Sequence, residues 1–268
     1  MKKLLLMTLF FLMSVNLNAF AFEKTKQFQE HKTLCKAGDS ESCYSLGLMY
    51  FNGVAVAQDY EKAMHYTKKS CDAGHVYACY NVASMYYDGL GVEKDYVKAF
   101  TLFDFSCKGG DIKGCHNLAK MYFSGVGVKQ DTVKAVSLYE NTCEAKDGRS
   151  CFSLGITYRN GKVLKQDLVL AQQYFKKSCE LKDASGCYAL GGMYAAGEGK
   201  QKDITKAMAL YDKACNLGNA LGCFNFALAY YKGKELRKDT VKASEFFKKA
   251  CDLGDAQSCR VHKSLRSQ

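Results

Sequence analysis

The sequence predicts an all-α protein: an α/α solenoid, wound as a right-handed superhelix of seven disulfide-stapled αα-hairpins with a 36-residue period. Three observations point there. The 268 residues hold 14 Cys in seven pairs, eight residues apart within a pair and 36 from one pair to the next. A fixed period of that size marks a repeat architecture. Between the cysteines, apolar and small residues recur at steps of three and four, the signature of one helical face, and no segment alternates as a strand would. Zero Pro and 48% hydrophobic residues argue against a β-sandwich and against a disordered chain.

The N-terminus comes first in chain order. Met1-Lys2-Lys3 is basic, Leu4 to Val15 is an apolar run of 12 residues, and Ala19-Phe20-Ala21 is an A-x-A site. This reads as a secretory signal peptide, residues 1–21, cleaved after Ala21. The apolar run is shorter than the ~20 residues that a membrane span needs. The expectation is a secreted or periplasmic protein, monomeric and without a transmembrane anchor after cleavage. Loss of Lys2 and Lys3 takes the formal charge from +11 to +9.

The remainder, residues 22–268, reads as a single repeat domain with units at about 23–58, 59–94, 95–130, 131–166, 167–202, 203–238 and 239–268. Each unit begins at one column: Asp59, Asp95, Asp131, Asp167, Asp203 and Asp239, with Glu23 in the same phase. An Asp there can cap a helix by accepting orphan backbone N–H groups. In the unit that starts at Asp59, the positions Ala63, Tyr66, Thr67, Ser70 and Cys71 form one buried face. Gly74 suits a left-handed helix end. A second helix then runs from about His75 to Tyr87, with Cys79, Val82, Ala83 and Tyr86 inward, and Gly89-Leu90-Gly91-Val92 turns into the next unit. Small residues recur in the second helix as Gly47, Ala83, Ala119, Gly155, Gly191 and Ala227, which implies close helix approach. Lys146 and Lys182 stand where the other units have the inter-helix Gly, so those turns need another cap or carry strain. Arg260, His262 and Arg266 make the last helix polar, as a solenoid end requires.

Two Cys eight apart on one straight helix would be ~12 Å apart along its axis. A disulfide needs Cα atoms within about 7 Å. Each pair therefore straddles a turn, and the expected bridges are Cys35–Cys43, Cys71–Cys79, Cys107–Cys115, Cys143–Cys151, Cys179–Cys187, Cys215–Cys223 and Cys251–Cys259. Zinc is the weaker reading, because C-x₇-C is not its usual spacing and the five His share no repeat phase. No metal and no cofactor are expected.

The pattern Gly47-Leu48-Met49-Tyr50…Gly53…Asp59-Tyr60-Glu61-Lys62-Ala63…Tyr66…Cys71 resembles Sel1-like repeats, a tetratricopeptide-like α/α class. With a C-x₇-C pair in each unit, the chain is similar to the Helicobacter cysteine-rich secreted proteins. That resemblance implies an exported, disulfide-bridged superhelix, a role as a host-interacting antigen, and penicillin binding with slow β-lactam hydrolysis. The residues themselves hold no S-x-x-K, K-T-G or G-x-S-x-G motif, so the catalytic group of a β-lactamase stays unassigned.

The residues favour a binding scaffold. α/α solenoids offer extended concave surfaces to peptides and proteins. In tetratricopeptide-like superhelices the first helix of each unit lines that surface, which nominates Met64, Phe100 and Met208 for apolar contacts. In the second helix Asn81, Asn117 and Asn225 recur two residues after their Cys, where amides could hydrogen-bond a peptide backbone. The in-phase pairs Lys68-Lys69, Lys176-Lys177 and Lys248-Lys249 suggest a basic stripe. The expected partner is a peptide or protein, of the host or of the cell envelope, in the concave groove, with β-lactams as the further ligand the resemblance implies. No nucleic-acid module is recognisable.

Overall fold

A computed structural model describes residues 23–199, 201–234 and 236–266, and the leader expected at 1–21 lies outside them. Among the described residues there are fourteen helices and no strand. They are α1 (23–36), α2 (Ser40–Asn52), α3 (Tyr60–Asp72), α4 (Val76–Asp88), α5 (Tyr96–Lys108), α6 (Ile112–Ser124), α7 (Thr132–Glu144), α8 (Gly148–Asn160), α9 (Leu168–Glu180), α10 (Ala184–Ala196), α11 (Ile204–Asn216), α12 (Ala220–Lys232), α13 (Thr240–Asp252) and α14 (Ala256–Arg266). The chain divides after Asp131 into two compact units, the first holding α1 to α6 and the second α7 to α14.

Side-chain caps start most of these helices. Asp59, Asp95, Asp167, Asp203 and Asp239 are extended, and each carboxylate accepts the N–H three residues on, at 2.8–2.9 Å. Those N–H groups would otherwise lack partners. The same Asp backbone N–H donates to the carbonyl of the preceding repeat Tyr, as from Asp59 to Tyr50 and from Asp203 to Tyr194, both at 3.0 Å. A Lys completes the clip: Lys62, Lys98, Lys206 and Lys242 sit 5.2–5.6 Å from the centroids of Tyr50, Tyr86, Tyr194 and Tyr230. The recurrent Asp and Tyr columns thus fix how one hairpin enters the next.

Glycine is needed where backbones touch. Gly91 has φ +68°, and a Cβ there would meet the carbonyl of Tyr60. Lys146 and Lys182 adopt the left-handed conformation that glycine takes in the sister turns, with φ 68° and 63° against 86° at Gly74. The strained alternative is therefore the one found. Left-handed backbone costs a residue with a Cβ roughly 1–2 kcal/mol, part of which glycine gives back as unfolded-state entropy. Lys146→Gly and Lys182→Gly should each stabilise the protein by about 0.5–1 kcal/mol, read as a raised denaturation midpoint at unchanged slope. A lowered midpoint would refute the assigned strain.

All seven expected disulfides are present, with Cα–Cα distances of 4.4–4.8 Å, and no Cys is free. Each joins the end of an odd-numbered helix to the start of the next even-numbered one. The column Ala63, Ala99, Ala135, Ala171, Ala207 and Ala243 is fully buried. Four residues further on, Phe103, Tyr139, Phe175, Tyr211 and Phe247 are buried as well. They pack towards the small column of the even-numbered helices: a Cβ on Gly155 would lie 2.6 Å from the Phe175 ring, and one on Gly191 would lie 3.0 Å from Tyr211. Burial pushes the Tyr139 phenol up to about 12.

The lysine pairs do not form a free basic stripe. Lys68, Lys176 and Lys248 pair with Asp72, Glu180 and Asp252 one turn on, at 2.6, 3.7 and 2.6 Å. Lys69 donates to the Cys35 carbonyl at 2.7 Å and Lys249 to Asn216 at 2.9 Å. One lysine of each pair is thus neutralised by an acid of its own helix, while Lys69 and Lys249 are tied to neutral acceptors and keep their charge.

Candidate functional site

The structure splits the expected binding residues into two groups. Met64 and Met208 are only 7% and 8% exposed. Met64 packs with Val82 and Met85 under Tyr50 and Tyr86, and Met208 packs with Tyr211 under Tyr188, Tyr194 and Phe226. Phe100 is half-buried, edge-on to Tyr122 at 5.2 Å. The expectation that Met64 and Met208 line an open surface is therefore corrected, while Phe100 keeps part of its ring accessible. Within their units α3, α5, α9, α11 and α13 each pack against the even-numbered helix before and the one after, and Met64 and Met208 are held between those neighbours.

The asparagines lie on the even-numbered helices, and two of them reach one groove in the first unit. Between α2 and α4 is a cavity of about 210 Å³, lined by Leu48, Phe51, Asn52, Asn81, Met85 and Leu90, with Ser84 and Asp88 at its edge. Between α4 and α6 is a second, of about 220 Å³, lined by Tyr80, Tyr87, Phe103, Asn117 and Lys120. Ser84 and Asp88 line this one too, so the two cavities share a wall on α4. Asn81 and Asn117 sit one repeat apart along it. Asn225 belongs to the second unit, where it is hydrogen-bonded to the phenol of Tyr211, whose pKa burial raises.

Local contacts hold the groove residues. Asn81 Nδ2 donates to Tyr44 Oη at 3.2 Å, and burial raises the Tyr44 pKa. The Tyr44 ring stacks on His75 at 4.7 Å. His75 caps α4: its Nδ1 accepts the Ala78 N–H at 3.1 Å, while Nε2 lies 2.8 Å from Glu41 Oε2. An accepting Nδ1 places the neutral ring's proton on Nε2, which donates to Glu41. Ser84 Oγ donates to the Tyr80 carbonyl at 3.1 Å, leaving its lone pairs towards the groove free to accept. Lys120 Nζ lies 5.3 Å from the centroid of the Tyr87 ring.

Chemically this is a recognition surface, with amides, hydroxyls and aromatic faces in a row and one charge of each sign. No group of His, Cys, Asp or Glu among the described residues could hold a metal ion. Sequence reasoning missed Leu48, Phe51, Ser84, Tyr87, Asp88 and Lys120. The available signal was variation: Leu48, Ser84 and Lys120 share one repeat phase and differ completely, which packing positions such as the Ala column do not.

No helix among the described residues is long and apolar enough to cross a membrane. Comparison with known proteins gives a repeat family. The model of the Sel1 repeat matches residues 40–75, 76–111, 112–147, 148–183, 184–219 and 220–255. In that frame a repeat is an even-numbered helix followed by an odd-numbered one, so the disulfides join successive repeats. No curated protein matches the chain. Among solved structures the chain is similar to a protective antigen of uropathogenic Escherichia coli, with 26% identity, TM-score 0.73, and coverage of 86% of this chain and 50% of that one. The chain thus spans about half the length of that antigen. It is also similar to a Sel1 repeat protein from Oxalobacter formigenes, with 27% identity, TM-score 0.75, and coverage of 84% and 99%. Helicobacter pylori cysteine-rich protein B is 34% identical over 50% of this chain and 96% of its own, with TM-score 0.42.

Proposed function

The chain belongs to the Sel1 repeat family, and from that premise we propose that it is an interaction scaffold whose first unit binds an extended peptide segment of a partner protein in the groove across α2, α4 and α6. The observation that carries this reading is the pair of adjacent cavities, sharing Ser84 and Asp88, with Asn81 and Asn117 one repeat apart. An Asn side chain offers both a donor and an acceptor, the complement of a peptide unit, and the apolar walls bury side chains between. Seven disulfides support action outside the cytoplasm, where such bonds persist. A host or cell-envelope protein fits that compartment. Penicillin binding and lactam hydrolysis have only the resemblance behind them and form no part of the reading.

The test is peptide binding by fluorescence anisotropy, with variants. Asn117→Ala should weaken binding about tenfold, the worth of one or two hydrogen bonds, at unchanged thermal stability. Asn81→Ala should do the same with a small loss of stability, since it frees Tyr44. Unchanged affinity in both would remove the groove as the site.

A further inference from the structure

We propose that the bound peptide carries a lysine or arginine side chain over Asp88, beside an apolar residue seated among Leu48, Phe51, Met85 and Leu90. This rests on the groove reading above and specifies its ligand.

Asp88 is exposed and lines both cavities, so any chain lying along the groove passes it. It is the last residue of α4, ahead of the left-handed Gly89. A negative charge there opposes the helix dipole, whose C-terminal end is itself negative. Three other acids that end a helix are neutralised from within it: Asp72, Glu180 and Asp252 end α3, α9 and α13, and each pairs with a Lys one turn earlier, whereas Glu144, which ends α7, has Glu140 there. One turn before Asp88 stands Ser84, and no cation among the described residues pairs with Asp88. Its repeat phase holds Asn52, Ser124, Asn160, Ala196 and Lys232, so the acid is particular to this groove and not part of the repeat's framework.

The carboxylate and the outward carbonyls of the last turn of α4 make a local negative field on a chain of formal charge +11. The complement is a cation from outside. The neighbouring surfaces suit its long stem: the Tyr80 and Tyr87 rings wall one side and the apolar cavity opens on the other. Lys120 lies over Tyr87 on the α6 side, so it repels a second basic side chain there and leaves the shared edge at Asp88 as the place for the first. A ligand read this way has an apolar residue towards α2, a basic one at Asp88, and a neutral or acidic one towards Lys120.

The experiment is anisotropy with a positional-scanning library of acetylated, amidated decapeptides in which one position is fixed in turn as Lys, Arg, Gln or Glu. The protein is the full disulfide-bonded chain, as wild type, Asp88→Asn and Asp88→Lys. At low ionic strength the wild type should favour Lys or Arg over Gln at one position by about fivefold, the upper range for an exposed ion pair, and salt should erode the preference. Asp88→Asn should abolish it, weakening the Lys and Arg peptides by more than the Gln peptides, and Asp88→Lys should invert it towards Glu. A preference that survives Asp88→Asn, or no preference in a wild type that does bind peptides, overturns the assignment and leaves the groove standing. Binding of no peptide removes the groove reading and this inference together. Self-association lost in Asp88→Asn by sedimentation, without peptide selectivity, gives the surface to a second copy of the chain and overturns the peptide assignment.

Discussion

Phe175→Ala should destabilise the protein by about 3–5 kcal/mol, the cost of truncating a fully buried phenylalanine. The ring is 0% exposed, lies at the centre of the packing around Ala171, Leu190 and Met193, and meets Phe152 at 5.7 Å. Its neighbour across the helix pair is Gly155, which has no side chain to move into the space. The hole therefore stays open, and the cavity penalty adds to the lost transfer energy. Phe175→Leu should cost markedly less because it fills much of the volume. Urea denaturation under oxidising conditions reads both. A loss below about 1 kcal/mol for the alanine variant would mean that the α8/α9 pair does not depend on this ring.

The second large effect is expected from removing one staple. Replacing Cys143 and Cys151 together by Ser opens a loop of sequence separation eight. The chain-entropy account puts that at roughly 2.5 kcal/mol. Both positions are about 1% exposed or less, so the two hydroxyls also enter a dry site and add to the cost. The turn beside them already carries Lys146 in the left-handed conformation. In a repeat array stability is local, a sum of unit and neighbour terms. Amide exchange should therefore quicken over α7 and α8 and much less in α12 and α13. A uniform rise, or none, would contradict the modular picture.

Much of the fold was legible because it is written once per repeat. The Cys spacing dictated turns between helices, and the turns dictated the bridges. The Asp column marked the starts of α3, α5, α9, α11 and α13, and observed caps sit at those very residues. Frame was less legible than period: any point of a 36-residue cycle can be called its beginning, and the family's repeat begins between the units drawn from Asp59 and its equivalents. Side-chain direction was the weakest reading. Met64 and Met208 vary between repeats, yet each touches a helix on either side, so their variation tracks core packing. Val97 and Val241, apolar in sequence, are 64% and 69% exposed in the first turns of α5 and α13. The site itself depends on two neighbouring even-numbered helices facing each other, a juxtaposition that no single segment encodes. What sequence did offer was Asn81 and Asn117, recurring two residues after their Cys, although the column also serves the fold, since Asn81 and Asn225 hydrogen-bond Tyr44 and Tyr211.

The claim that function resides on α2, α4 and α6 is tested most directly by titrating isotope-labelled protein with the tightest peptide from the library and mapping amide and side-chain shifts by NMR. The account predicts perturbations at Asn81, Ser84, Tyr87, Asp88, Asn117 and Lys120, with the odd-numbered helices quiet except at Thr67 and Phe103, which line the same cavities. Shifts confined to the apolar recess formed by Lys68, Val97, Thr101 and Leu102, with α4 and α6 unmoved along the groove, would contradict it.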